Sequence, residues 1–297
     1  MVGPTAPGRP GGVLPGGGHR PSRRPAAVAG RVRRLLPVGG RLPGPAGDPT
    51  DAPGVGRRTA PGTVPMRLPT DRPRVPLTTD PGGVLHHTFP ADLVAAVSAY
   101  AVSRNATPYA VFMAAYTWLL HGLSGAPTVN LATSVANRTD PRFDRVVGVL
   151  AQAALLIVPV AGVASFDELV ERTTRVTWQA LARQSVPSSV QIATLGEPFA
   201  DFPCRVYFDL LDMADPVLRL TGLEPAVARD VVLAGARGDL TWQLRPLPTG
   251  EMALLIEYAA NLFDADTVAG WLDRYQRLLS RLLAAPDAPL PRAGDAG

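Results

Sequence analysis

The chain has 297 residues, of which 46% are hydrophobic, and this is enough for one large domain or two ordinary ones with a sizeable core. The longest apolar stretch is interrupted by Gln152 and Pro159, so no apolar run reaches the roughly 18 residues of a membrane span. The single cysteine, Cys204, excludes an intramolecular disulfide and a multi-cysteine zinc site, and four histidines supply a His-rich metal site poorly.

The formal net charge of +4 hides two parts of opposite sign. Residues 1–65 hold ten arginines and two acids, whereas residues 66–297 hold 19 arginines and 23 acids. Every basic residue is Arg, which genomic GC bias explains more simply than nucleic-acid binding does. A basic stripe interleaved with aromatic residues, typical of nucleic-acid binding, is absent from the sequence. We therefore expect no nucleic-acid partner.

Residues 1–65 are predicted to be a disordered tail, because they contain 15 Gly and 13 Pro and no aromatic residue. Their apolar patches are too short for a secretory signal, so we expect a cytoplasmic protein without a membrane partner. The same composition is typical of GC-rich DNA read out of frame or from an early start. Whether the tail is genuinely translated therefore stays open.

The folded part begins with an extended linker, residues 66–83. A strand predicted at Val84–Phe89 leads into a helix that starts at a proline and has apolar residues at helical spacing. Thr107-Pro108 indicates the start of a second helix, which we expect Gly122 and Gly125 to end.

Two strands and a capped helix come next. Alternation predicts a strand at Val129–Val135, and the long apolar run Val146–Val160 predicts a buried one. Ser165 and Glu168 have the spacing of a capping box, which predicts a helix that runs to about Gln184.

The last part mixes strands and helices without regular alternation. Pro187 is expected to open a short helix to Leu195. Strands are predicted at Cys204–Leu211, Leu240–Pro246 and Met252–Ala259, an amphipathic helix at Asp264–Leu283, and a disordered tail at 287–297. This element order favours an α+β sandwich in which helices pack on a mixed sheet.

Four stretches follow one another along the chain: VFMAAYTWLLHGLSG, LATSVANRTDPRFDRVVGV, SFDELVERTTRVTWQALARQSVP and LLIEYAANLFDADTVAGWLDRYQRLLSRLLAAP. In this order they resemble condensation domains of nonribosomal peptide synthetases, and LPTDRPR resembles the segment that joins the two lobes of such a domain. The likeness runs from about Leu68 to Pro286 and covers only the second, C-terminal lobe.

The resemblance implies a chloramphenicol-acetyltransferase-like two-layer α/β sandwich over residues 84–286, a single lobe of a normally two-lobed domain. It also implies amide-bond formation between acyl and aminoacyl thioesters on the phosphopantetheine arms of carrier proteins, with no cofactor bound directly. The implied partners are peptidyl or acyl carrier proteins, other synthetase domains and a separate N-terminal lobe.

The family's signature, His-His-x-x-x-Asp-Gly, lies in the first lobe, where the second His helps to position or deprotonate the attacking amine. His86-His87-Thr88-Phe89-Pro90-Ala91-Asp92 differs from it, because Asp92 comes one place late. Neighbours in a strand also point to opposite faces, so the two histidines would not share a site. We therefore assign no catalytic residue and no metal site, and we expect the chain to be inactive alone.

The second-lobe motifs are only partly retained. The family's Gly-x-x-x-Asn-Thr keeps Gly148, but Gln152, Ala153 and Ile157 replace the family's polar residues. Its His-Gln-Asp-x-Pro-Phe-Glu keeps only Gln184 and Pro187. The residues that would line or support the channel are Asn137, Arg138, Gly148, Gln184 and Pro187. We expect them to shape and anchor loops, Arg138 by pairing with a carboxylate such as Asp140 or Asp144. A degenerate domain, a non-catalytic carrier-protein or synthetase docking module, and an acyltransferase that pairs with a separate first lobe all remain open.

Other polar and aromatic residues have simpler interpretations. His121 suits the last turn of a helix, and Cys204 a buried strand. Asp209, Asp212 and Asp215 are expected in a solvated turn. Four tryptophans are expected to be core anchors: Trp118, Trp178, Trp242 and Trp271.

Overall fold

A computed structural model describes residues 65–74, 81–195, 205–211 and 235–291. Five α-helices lie in these ranges: α1 (Ala91–Ser103), α2 (Pro108–Ser124), α3 (Phe166–Leu181), α4 (Ser188–Leu195) and α5 (Ala265–Ala284). A short 3-10 helix spans Pro141–Phe143. The strands there are β1 (Gly82–Phe89), β2 (Thr128–Val135), β3 (Gln152–Pro159), β4 (Val206–Leu210), β5 (Leu240–Pro246) and β6 (Met252–Ala259). The predicted tail before Pro65, Cys204, Asp212 and Asp215 lie outside the described residues.

Contacts divide the chain into two units, and the larger one, Pro43–Asp144 with Gly148–Gly297, holds all these helices and strands. Its six strands form one mixed sheet in the order β1-β6-β5-β4-β2-β3. The pairs β2–β4 and β4–β5 are parallel, and the other three pairs are antiparallel. Together with the helices, this is the α+β arrangement that the sequence predicts.

Helix α2 is the centre of the core. Every residue from Ala110 to Leu120 is buried, as expected for a helix that is apolar on all sides. The Tyr116 ring lies 5.1 Å from the ring of Phe208 in β4, 4.7 Å from Trp242 in β5 and 6.5 Å from Tyr275 in α5. These contacts pack α2 and α5 against the middle strands of the sheet.

Local sequence signals locate most element boundaries correctly. β5 and β6 have their predicted bounds. The Thr107 hydroxyl accepts a hydrogen bond from the Ala110 N–H at 3.2 Å, and the Ser165 hydroxyl accepts one from the Glu168 N–H at 3.3 Å, so both predicted helix caps are confirmed.

Besides shifts of one or two residues at other element ends, three predicted boundaries are wrong. β3 begins at Gln152 and not at Val146, because its partner strand β2 ends at Val135, which pairs with Gln152. Gly122 lies inside α2, and only Gly125 ends the helix, in a left-handed conformation with φ 67°. Helix α3 ends at Leu181, and hydrogen-bonded turns follow it up to Gln184.

The extended segment before the first strand is anchored to the fold and is more than a linker. Met66 is buried, and its N–H donates to the Asn130 side-chain oxygen at 2.6 Å. The Asp71 carboxylate accepts hydrogen bonds from the Asp264 N–H at 2.7 Å and from the Thr267 hydroxyl at 3.0 Å, which caps the first turn of α5. Farther along, Arg74 donates to the buried carboxylate of Asp239.

Residues 287–291, predicted to belong to a disordered tail, pack on the fold instead. The Leu290 N–H donates to the Ala164 carbonyl at 3.2 Å. The Trp118 indole N–H donates to the Pro291 carbonyl at 3.1 Å, which satisfies a buried donor that otherwise has a desolvation cost. Residues 292–297 lie outside the described ranges.

Trp118, Trp242 and Trp271 are buried, as predicted, but Trp178 is 61% exposed and is not a core anchor. None of the described helices combines the length and apolarity needed to cross a bilayer.

We predict that Asp71→Ala lowers the free energy of unfolding by about 1 kcal/mol, because it removes the acceptor at the N-terminus of α5. Chemical denaturation measured by circular dichroism would test this. The matched control is Glu171→Ala, which removes an exposed i,i+4 pair with Arg175 and should lower the free energy by less than about 0.5 kcal/mol. Equal losses in the two variants would contradict the capping role.

Candidate functional site

The five predicted channel residues lie in two connections. Asn137 and Arg138 follow β2 and Gly148 precedes β3, whereas Gln184 and Pro187 lie between α3 and α4. The last residue of β2 pairs with the first residue of β3. The first connection therefore leaves the sheet and returns to it at the same end of these two strands.

The connection between β2 and β3 is held mainly by Arg138. Its guanidinium donates to the carbonyl oxygen of Phe143 and, at 3.3 Å, to that of Gly148. The predicted partner Asp140 binds Arg142 instead, through the backbone N–H at 2.8 Å and the guanidinium. Arg138 therefore anchors this loop through backbone carbonyls, and Asp140 closes a separate turn.

Backbone conformation explains one of the two other residues in this connection. Asn137 has φ 51°, in the left-handed region that Asn tolerates better than most residues. A Cβ built on Gly148 would meet nothing within 4 Å, so packing does not require a glycine there.

Two glutamines bind the connection between α3 and α4 to the sheet. The Gln152 side-chain amide, on β3, donates to the carbonyl oxygens of Gln184 and, at 3.2 Å, Val186. The Gln191 side chain donates to the same Val186 carbonyl at 2.8 Å and accepts from the Leu155 N–H at 3.3 Å. We call Gln152 and Gln191 the glutamine clamp. The sequence did not predict this clamp, because in the sequence Gln152 is only a residue that replaces one of the family's polar residues.

Pro187 lies within the clamped segment. Its carbonyl oxygen accepts hydrogen bonds from the N–H groups of Val190 at 2.9 Å and Gln191 at 3.1 Å, so it opens α4. The clamp therefore fixes both retained residues of this motif, Gln184 through its carbonyl and Pro187 through the helix that it starts.

A cavity of about 270 Å³ lies at the carboxyl-terminal ends of the parallel strands β2 and β4. The strands contribute Thr133, Ser134, Val135 and Leu210 to its lining. In open α/β sheets, ligands bind outside the carboxyl ends of strands.

Two helices form the other walls. The start of α2 contributes Thr107, Tyr109 and Ala110, and the second half of α3 contributes Thr174, Thr177, Trp178 and Leu181. No described residue that lines the cavity is charged. Burial raises the pKa of Tyr109 well above its usual value, so its hydroxyl keeps its proton at neutral pH.

The cavity and the predicted channel residues adjoin along the chain. Val135 lines the cavity two residues before Asn137, and Leu181 lines it three residues before Gln184. The two connections that carry the predicted residues thus each begin next to a residue that lines the cavity.

Asp209 is not in a solvated turn, as was predicted, but is buried in β4 with 2% of its surface exposed. Its carboxylate accepts hydrogen bonds from the Ser134 N–H at 2.6 Å and the Ser134 hydroxyl at 3.0 Å. Arg237 lies 3.7 Å away and adds a charge partner. Alternation along β4 places Asp209 with Tyr207 and away from buried Phe208. That pattern, with the hydroxyl residues of β2, is the signal that could have located it.

The adjacent histidines have different environments. His86 is exposed, whereas His87 is partly buried and its ring lies 4.9 Å from Phe89. The His87 Nε2 atom is buried without a hydrogen-bond partner. Burial lowers the pKa of His87, and the charge of Asp273 opposes this shift. Among the described residues, no group of three potential metal ligands occurs.

A family model for the condensation domain matches residues 59–197. Phosphinothricin tripeptide synthetase PhsB of Streptomyces viridochromogenes is 30% identical over 231 residues, which cover 76% of this chain and 19% of that protein. The isonitrile lipopeptide synthase of Mycobacterium tuberculosis is 30% identical over 230 residues, covering 75% of this chain and 9% of that protein. The chain thus spans a fifth or less of either relative.

Solved structures show the same fold. SgcC5 from Streptomyces globisporus has a TM-score of 0.65 and 25% identity, covering 77% of this chain and 54% of that one. The X-domain from teicoplanin biosynthesis has a TM-score of 0.67 and 22% identity, covering 76% and 52%. The chain spans about half of each, and these neighbours confirm the predicted chloramphenicol-acetyltransferase-like fold.

We predict that Asp209→Ala lowers the free energy of unfolding by about 2 kcal/mol, because it leaves the Ser134 N–H and hydroxyl without their acceptor. Asp209→Asn, which keeps an acceptor oxygen, should lower it less. Glu257→Ala removes the other carboxylate near Arg237 and serves as the control for charge. Denaturant unfolding would refute the role of Asp209 as the acceptor for Ser134 if Glu257→Ala lowered the free energy of unfolding as much as Asp209→Ala does.

The lowered pKa of His87 predicts a dependence of stability on pH. As the pH falls below the ordinary histidine pKa, the unfolded chain binds a proton that the folded chain resists, so the free energy of unfolding decreases. His87→Leu should therefore show a shallower decrease than the native chain between about pH 7 and pH 5. A His87→Leu variant whose free energy of unfolding decreases as steeply as that of the native chain would show the prediction to be wrong.

Proposed function

We propose that this chain, which belongs to the condensation-domain family, is the C-terminal lobe of such a domain and forms one wall of the channel for amide-bond formation. The observation that supports this most is the cavity at the ends of β2 and β4, whose lining residues Val135 and Leu181 precede the motif residues Asn137 and Gln184 by two and three positions. The chain's span of about half of the solved condensation-type structures agrees with one lobe of two.

The reaction joins an acyl or peptidyl thioester to an aminoacyl thioester, both held on phosphopantetheine arms of carrier proteins. The attacking ammonium must first lose a proton. The amine then adds to the thioester carbonyl, and the donor thiolate leaves as the amide forms. A histidine with a pKa near neutrality is the usual proton acceptor in such a step.

His87 does not fit this role. It lies on β1, at the edge of the sheet opposite β3, and three strand spacings, or about 14 Å, separate β1 from β4. Its Nε2 atom is buried, and His87 is not among the residues that line the cavity. The catalytic histidine would therefore come from a separate N-terminal lobe, and this chain would supply shape, loop anchoring and the walls of the cavity.

The partners proposed on this basis are peptidyl or acyl carrier proteins and a lobe that carries His-His-x-x-x-Asp-Gly. No cofactor is assigned to the chain, since the substrates arrive on the carriers.

A single-turnover assay tests the proposal. We expect the full chain to form no amide from donor-loaded and acceptor-loaded carriers, and to form it when a separate N-terminal lobe with the His motif is added. His87→Ala should not change the complemented rate, because this histidine is remote from the cavity.

Two results would overturn parts of the proposal. Product without the added lobe, abolished by His87→Ala, would make the paired histidines catalytic. Binding of carriers without product in the presence of an active lobe would show that the chain is a docking module.

A further inference from the structure

One polar atom of a residue in the cavity wall has no hydrogen-bond partner among the described residues. The Thr174 hydroxyl oxygen is buried and has no hydrogen-bond partner. Thr177, one turn along α3, instead uses its hydroxyl to donate to the Thr173 carbonyl at 2.9 Å. Because an unpaired buried hydroxyl has a desolvation cost, its presence in a cavity wall points to a ligand that pairs with it.

The Tyr109 hydroxyl is hydrogen-bonded to Thr133, but the acceptor for its own proton is distant. The Tyr109 phenol lies 3.5 Å from the Phe208 carbonyl oxygen, at the limit of a hydrogen bond, and burial keeps it protonated. It can donate to a polar atom of a ligand. Of the six described lining residues with a hydroxyl, Thr174 is the one without a hydrogen-bond partner, and Tyr109 is the one whose donor contact is longest.

The rest of the lining selects against charge and for a flat ring. No described residue of the lining is charged, so an ionised group would enter without a counter-ion. Trp178 is 61% exposed beside Leu181, and an exposed indole stacks favourably on an aromatic ring. A cavity of 150 Å³ already accommodates benzene, so about 270 Å³ accommodates a ring with substituents.

We propose that this cavity binds a neutral phenol-type ring, with the ring against Trp178 and its hydroxyl paired with Thr174 or Tyr109. If the proposed function holds, on which this part rests, the ring is the side chain of a tyrosyl-type acyl or aminoacyl group carried on phosphopantetheine.

Ligand-observed NMR on the full chain with 4-methylphenol, toluene and 4-methylbenzoate tests the site. We expect 4-methylphenol to bind more tightly than toluene, and 4-methylbenzoate not to bind. Thr174→Val should weaken 4-methylphenol binding roughly threefold to tenfold and leave toluene unchanged, because it removes one hydrogen bond. It should not lower the melting temperature, since the hydroxyl has no partner to lose.

Trp178→Ala should weaken both neutral ligands by about tenfold through the loss of the stacking surface. Val102→Ala, at another exposed apolar residue on α1, is the matched control and should change neither affinity. Equal binding of 4-methylbenzoate and 4-methylphenol, or affinities unchanged in both cavity variants, would overturn the proposal.

These measurements use free ligands and no carrier protein, so they are independent of condensation. Binding of 4-methylphenol without activity in the complemented single-turnover assay would refute the proposed function and would still support the phenol-binding site. Activity in that assay without binding of 4-methylphenol would support the proposed function and refute the phenol-binding site.

Discussion

The fold depends on the burial of α2 on all sides. A helix whose residues from Ala110 to Leu120 are all buried has no face for water, so the sheet and the other helices must enclose it. Tyr116, packed against rings from β4, β5 and α5, fixes how the helix lies on the sheet. The start of the helix then falls at the ends of β2 and β4, and this position places Tyr109 and Ala110 in the cavity wall.

Two buried carboxylates, Asp239 and Asp209, connect segments that lie far apart in the chain. Asp239 accepts from both Arg74, in the segment before β1, and Arg205, just before β4. Asp209 pairs β4 with β2 through Ser134. A buried ion pair contributes little net stability, but the loss of one partner is costly because the other charge stays buried.

The features that sequence alone predicts are those with local causes. Caps at Thr107 and Ser165, and the strands β5 and β6, follow from spacing within a few residues. The start of β3 depends on where β2 ends, and the burial of Asp209 depends on a strand 75 residues away in sequence. Such causes are absent from any short window, which is why the long apolar run was predicted to be one strand.

In the candidate site, too, sequence predicts the features with local causes and misses those that depend on residues distant in sequence. The motifs pointed to two connections next to the cavity in sequence, but not to the cavity itself, because its walls come from four elements that only the fold brings together. Trp178 was assigned to the core on residue type, although its position on α3 exposes it at the cavity.

The glutamine clamp changes how the partly retained motifs are interpreted. Gln152 stands where the family has a different polar residue, which reads in the sequence as a loss. In the structure its amide binds the carbonyl oxygens of Gln184 and Val186, and Gln191 completes the attachment to the edge strand β3. The loop that carries Gln184 and Pro187 is therefore held on β3 by hydrogen bonds of Gln152 and Gln191, although the motif in this loop is only partly retained.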